Sequence, residues 1–428
     1  MSWQRRSQLS RPRSSKLKVL LAVSIVVKFV LFLLSIESAM SFSIPFSEAW
    51  KDYAYAYVPT VQAFRSGFMP YRDFFHAYPP LFLYTLTLFS FLPYSWSIAL
   101  PLVASDALTV VPVYLIGKHF LGERGAFVAS LLFVFAPINL FYADYLWLNP
   151  PLTTFFLMLS LYFLLEERLD FAALTLAVSI GFKQTSLLAL PIVLVYVAKK
   201  HSIVGALRYF LILASVCLAF SVPYILVDPT RYLFSVFRVP IRMWGQLPDN
   251  YFQLGFTNPP GSTTVGTTTL DWFQSKWTKY VPLQGGMTLS LPIFIYLLPD
   301  MPADAYYQAD LMLKILLFAG YGILLYRTCK EEPEDPGLNR YILYGLLVLF
   351  VFTPLYKYYV AGVTPFLSLL VHKRRDAVAF VLFNLALLSI PRLLISYLLL
   401  LILAWLLRDP VAETFKRRIQ TYAEAAAF

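Results

Sequence analysis

The 428 residues are 59% hydrophobic and 14% charged, against roughly half and a quarter in soluble globular chains. An aqueous globule would leave much of that apolar surface wet, so lipid is the solvent for most of the chain. The net charge of +11 does not point to nucleic acid: the basic residues sit in short clusters between apolar runs and are not interleaved with aromatics. Two cysteines, Cys217 and Cys329, and four scattered histidines set up neither a disulfide framework nor a metal-ligand spacing.

A basic head, residues 1–18 with Arg5, Arg6, Arg11, Arg13, Lys16 and Lys18, precedes the apolar run Val19 to Leu34. A cleaved signal peptide is the competing reading. The run is long for one and lacks a cleavage motif before Glu37, so a first transmembrane helix is predicted. Further apolar spans fall near 97–117, 126–143, 150–165, 170–182, 184–198, 205–227, 311–327, 340–355, 358–372, 376–390 and 391–407. With 19–36 they make about twelve, several of them short or broken by proline against the roughly 20 residues a bilayer requires. The run Leu81 to Leu92, between Pro80 and Pro93, is too short to span and suits an interfacial or re-entrant helix.

Basic residues fix the alternation. A cytoplasmic N-terminus places Lys118 and Arg124, Lys199 and Lys200, Arg327 and Lys330, Lys373 to Arg375, and Lys416 to Arg418 all inside. Residues 37–96, 144–149 and 228–309 then face the other side. The predicted fold is an all-α integral membrane protein: one polytopic domain over 19–407, with short interfacial helices in its external loops and a cytoplasmic tail, 408–428, that suits an amphipathic helix.

The first external loop, EAWKDYAYAYVPTVQAFRSGFMPYRDFFHAYPPL, holds Asp52 before Tyr53, Tyr55 and Tyr57, then Tyr71, Arg72, Asp73, His76 and Tyr78. It reads either as a cap on the bundle with interfacial tyrosines or as a site at a membrane surface. Asp73 is either a second site acid or a partner that fixes the loop through Arg72, and His76 reads as structural. Asp106 sits mid-span, where an ionisable group either bonds a neighbouring helix or belongs to a site. Asp144 and Asn149 lie in the second external turn. Arg231, Arg238 and Arg242 share one face of a helical reading, giving a basic amphipathic segment at the interface.

The acid followed by tyrosines, then G-x-x-PY-x-DF and YPPL, resembles the first external loop of GT-C glycosyltransferases. So do GFKQTSLLALP, PLYKYYVAGVTPFL and YLIGKHFLGERGAFVASLLFVFAP. The likeness covers roughly residues 45–200 and 340–370. It is greatest to lipid-linked mannosyltransferases and to the group that adds aminoarabinose or mannose to lipids and proteins. The resemblance implies a polyprenyl-phosphate-linked sugar donor, a lipid, glycan or protein acceptor, and no bound cofactor. Many relatives in that class carry adjacent acids in this loop. Here Asp52 lies between Lys51 and Tyr53, with Glu48 a turn earlier, so a paired-carboxylate metal site is not expected.

The chemistry so implied needs a base for the acceptor hydroxyl and fixed cations for the leaving phosphate. Asp52 is the candidate base. Lys183 leads as the phosphate's partner, with Arg72 and Lys357 behind it; each lysine interrupts an apolar stretch. Tyr71, Asp73, His76, Asp144, Gln184 and Tyr358 complete the candidate substrate contacts. Membrane lipid and the lipid-linked donor are the expected partners. The absence of an N-x-Ser/Thr sequon or a retention signal favours a prokaryotic plasma membrane. A transporter or flippase is the alternative from another class, although no inverted hydropathy repeat is seen; a non-catalytic assembly subunit is a third.

Overall fold

The computed structural model describes residues 15–41, 52–74, 76–233, 235–236, 287–288, 303–330, 335–352 and 355–389. These residues are almost all helical. Helix α1 is Ser15–Ser41. A π-turn, Asp52–Tyr57, leads into α2, Val58–Arg65. The short α3, Pro80–Leu88, occupies the run between Pro80 and Pro93 and is only nine residues long, too short to cross a bilayer. Next come α4, Tyr94–Val134, α5, Pro151–Leu165, α6, Leu169–Phe182, α7, Ala189–Lys200, and α8, Ile203–Val227. Beyond residue 300 are α9, Ala303–Lys330, α10, Asp335–Phe352, and α11, Arg374–Ser389.

Helix α4 is two rods. Gly122 has φ 71° and ψ 178°, a conformation open to glycine alone. The chain folds back there, so that a Cβ on Gly117 would lie 3.0 Å from the Cα of Ala126. Small residues at the crossing let the two backbones touch, and Lys118 and Arg124 sit at the tip. The second rod ends at Val134. The chain resumes through Pro137–Asn139 and a π-turn, Leu140–Tyr145, so the expected span 126–143 bends at Pro137.

The stretch 358–372 departs further from expectation. It is a 3-10 turn, Lys357–Gly362, followed by the five-residue helix Thr364–Ser368. Pro365 starts a helix but cannot continue one, and Gly362 lies just before it. The segment still runs from the neighbourhood of Lys183 to Leu369, which meets Gly117. The expected span 391–407, the tail after Arg408 and the amphipathic reading of Arg238 and Arg242 lie outside the described residues.

Among the described residues three stretches are long and apolar enough to cross a membrane: Ser15–Ile36, Tyr94–Tyr145 and Ile203–Val227. They turn large apolar side chains outward, among them Val26, Leu34, Leu207 and Leu226, an arrangement suited to lipid and not to water. The protein is a helical membrane protein. Its main core packs Val110, Val113, Phe133, Met158, Leu161, Leu176 and Val193 between the helices. A second, aromatic core around Phe32, Tyr57, Phe82, Trp147 and Phe182 closes the end that carries the first loop. At the opposite end Lys16 pairs with Glu123 at 3.3 Å, and Lys199 donates to the Thr328 carbonyl at 3.2 Å. The basic tips of α1, α4, α7 and α9 therefore pair off at that end.

Candidate active site

The aromatic end is built by the first loop. Its turn over Met69 to Phe74 is held from within. Asp73 accepts two bonds from Arg72, at 2.7 and 2.8 Å, and one from the Met69 N–H at 2.7 Å. The Arg72 guanidinium holds the Asp73 carboxyl below the usual carboxylate range. Tyr71, buried with φ 68°, donates its hydroxyl to the Tyr78 carbonyl at 2.6 Å and packs edge-on against Tyr224 and Tyr232. Arg231, on the short turn Pro229–Leu233 that follows α8, donates to the Arg72 carbonyl at 2.6 Å and ties that turn to the loop. His76 is buried between Tyr71 and Tyr78, and burial pushes its pKa down to about 3. It is neutral at any physiological pH.

This turn places Tyr78 beside Tyr57, their rings 6.2 Å apart. Burial raises both phenols, and the nearby Asp52 carboxylate adds to the rise in each. Asp52 is therefore within electrostatic reach of Tyr57 and Tyr78. Its position is set by the π-turn, whose next residue, Tyr53, stands edge-on against Trp147 at 5.2 Å.

Lys183 approaches from the other side. Helix α6 ends at Phe182, and Lys183 has extended backbone, φ −159° and ψ 124°, before a 3-10 turn begins at Gln184. That break turns the side chain inward. The residue is only 4% exposed. Its Nζ lies 3.7 Å from the Tyr359 ring centroid, 5.3 Å from that of Tyr358 and 5.7 Å from that of Tyr78, within cation–π range. Gln184 donates to the carbonyls of Ala77, at 3.3 Å, and Val236, at 2.7 Å. Tyr78 thus faces the cation and feels the field of the Asp52 carboxylate.

Behind Lys183 opens a small cleft of about 40 Å³. Thr153, Thr154, Thr185 and Ser186 supply hydroxyls to its wall; Leu157, Leu346 and Val363 supply apolar surface. The Thr153 hydroxyl and both polar atoms of the fully buried Asn149 side chain lack a hydrogen-bond partner among the described residues. Buried polar groups are seldom left so without a purpose. The lining thus sets an ammonium at the head, hydroxyls beside it and leucines beyond.

Of the remaining sequence candidates, one lies elsewhere and one is described only in its backbone. Asp144 is fully buried and pairs with Lys28 of α1 at 3.0 Å; Lys28 also pairs with Asp106. The Lys357 backbone opens the turn beside Lys183, but its side chain lies outside the described residues. The sequence reading did not single out Tyr359, Thr153 or Lys28. Lys28 had a signal, a charge mid-way along the first apolar run, where an ionisable group implies a partner. The threonines had none, because hydroxyls are common in membrane helices.

Residues 56–243 match the family model described as ALG3 protein. The matched stretch begins after Asp52, Tyr53 and Tyr55 and contains Tyr57, the turn at Asp73, both rods of α4 and Lys183. No curated protein matches the chain. The family match supports a GT-C-type membrane glycosyltransferase that draws on a lipid-linked sugar. It favours that class over the transporter alternative.

Proposed function

We propose that the protein transfers mannose from a polyprenyl- or dolichyl-phosphate donor to a hydroxyl acceptor on the non-cytoplasmic side of its membrane, with inversion. The observation that carries this is the buried Lys183 against the rings of Tyr359, Tyr358 and Tyr78 at the head of a hydroxyl-lined, apolar-walled cleft, with the Asp52 carboxylate raising the same Tyr78 phenol. The match to the ALG3 protein model favours mannose and a dolichol-phosphate type of carrier. It lends nothing to the aminoarabinose branch of the resemblance or to a prokaryotic plasma membrane.

In the reaction, Asp52 accepts the proton of the acceptor hydroxyl as that oxygen attacks the anomeric carbon. The bond from the anomeric carbon to the phosphate oxygen breaks, and the lipid phosphate leaves with one more negative charge. Lys183 meets that charge where it develops, which is where a fixed cation helps most. The tyrosines hold the sugar and exclude water. Tyr71, Arg72, Asp73 and His76 shape the floor of the site through the position of Tyr78, and Gln184 fixes the turn after Lys183. Lys357 remains a second cation for the phosphate.

The test is transfer from a mannosyl-phosphoryl-dolichol donor by purified protein and by Asp52→Asn at matched thermal stability. General bases contribute about 10²- to 10⁴-fold, so the variant should lose at least about a hundredfold in kcat. A variant that kept wild-type kcat would remove Asp52 from the role.

A further inference from the structure

The charged cluster below the site has no part in the chemistry above, yet it is the costliest arrangement in the bundle. Lys28, Asp106, Asn139 and Asp144 are each at most 1% exposed. Lys28 binds Asp106 and, at 3.0 Å, Asp144, while Ser24 donates to the Ala107 carbonyl at 3.0 Å. These bonds lock α1 to the first rod of α4. Burying such a set in a bilayer is expensive and by itself is weak evidence for stability. The two helices also have apolar contacts to hold them, including Phe32 against Trp96 at 4.9 Å. The cluster therefore invites a question about what it fixes in place.

Asn139 answers it. Its side-chain amide nitrogen donates to Asp106 at 3.0 Å and to the Ala361 carbonyl at 3.2 Å, while its oxygen has no hydrogen-bond partner among the described residues. The side chain is used as a donor in two directions: down to the anchored carboxylate and up to the turn Lys357–Gly362. The next carbonyl of that turn, Gly362, accepts from Thr154 at 3.3 Å. A Cβ on Gly362 would come within 3.1 Å of that same Thr154 hydroxyl, so the turn sits hard against the start of α5. Two successive carbonyls of a 3-10 turn are thus held by side chains from two other elements. Tyr358 and Tyr359, three and two residues before Ala361, are the rings over Lys183.

We propose that Asn139, seated on the Lys28–Asp106 pair, is a positioning residue for sugar transfer that sets the Tyr358–Tyr359 wall over Lys183. The proposal rests on the reading of Lys183 as the donor phosphate's partner. Asn139 touches no reacting atom. It acts through the turn, and Thr154 acts on the same turn from the side of the cleft. Freed of both, the turn can lift, and the lysine loses the rings that keep water from it.

The experiment uses full-length protein with Cys217 and Cys329 replaced by serine, in the backgrounds Asn139→Leu, Thr154→Val and, as a control, Ser160→Ala. Ser160 donates to the Ala172 carbonyl at 2.8 Å, a buried hydroxyl bond between α5 and α6 remote from the turn. Two readouts are taken. The first is the split between KM and kcat for the mannosyl-phosphoryl-dolichol donor. Leaving a buried carbonyl unpaired should raise KM about tenfold for Asn139→Leu, with a smaller change in kcat, the same direction for Thr154→Val, and no change for Ser160→Ala. The second is the rate at which iodoacetamide labels a cysteine introduced as Thr185→Cys on the cleft wall, which should rise severalfold in the first two backgrounds only. Equal KM and equal labelling in all three would overturn the proposal. If no donor supports transfer, the functional reading fails, and the labelling rates alone decide whether Asn139 positions the turn.

Discussion

Lys183→Met removes a buried ammonium while keeping most of the side chain's volume. The consequence follows from where that charge sits. At 4% exposure and 3.7 Å from the Tyr359 ring, it lies at the head of the cleft and faces Tyr78. An ammonium about 4 Å from a phosphate oxygen at an effective dielectric of about 20 is worth about 4 kcal/mol. At about 1.4 kcal/mol per decade that is nearly three powers of ten. Water entering the vacated space recovers part of it, so kcat/KM should fall about 10²- to 10³-fold. The donor phosphodiester carries one negative charge and the departing monoester gains a second. The interaction is therefore stronger in the transition state, and kcat should fall more than KM rises. The assay is transfer from mannosyl-phosphoryl-dolichol over a range of donor concentrations, with thermal stability in the same detergent as the check on folding. A folded Lys183→Met protein with kcat/KM within about threefold of wild type would show that the cation does not meet the phosphate, and the donor would have to enter elsewhere.

Other outcomes follow from the same geometry. Asp73→Asn keeps an acceptor for the Met69 N–H but weakens the pair with Arg72; kcat/KM should fall by less than about tenfold, well short of Asp52→Asn, and an equal loss would make Asp73 a second catalytic acid. His76 is neutral when folded, with its pKa near 3 against 6.5 unfolded. Its contribution to stability is intact above pH 6.5 and is lost as pH falls towards 3. By linkage that amounts to about 2 kcal/mol at pH 5. Melting temperatures from pH 8 to 5 should thus fall less steeply for His76→Phe than for wild type, and parallel curves would refute the burial argument. Gly122→Ala forces a side chain into φ 71°, ψ 178° and should cost about 1–3 kcal/mol; an unchanged melting temperature would mean the α4 hairpin turns differently.

Composition and charge placement were enough to establish a helical membrane protein, because apolar length and basic clustering are properties of local sequence. Lys118 and Arg124 marked the turn within α4, and the prolines at 80 and 93 marked the short helix. Asp52, Lys183 and the turn at Asp73 could be picked out as candidates because a charge in an apolar stretch, or an acid beside tyrosines, stands out in one dimension. What only the tertiary structure decided is who meets whom. Tyr359 reaches Lys183 from a turn nearly two hundred residues later in the chain. Asp144, in a turn that read as part of the external surface, instead faces Lys28 inside the bundle. Asn139, unremarkable in sequence, joins that buried charge to the turn beside the site. Hydrogen bonds and ring contacts act over a few ångströms, so they depend on which helices pack together. Periodicity marks each helix's apolar face but does not name its partner.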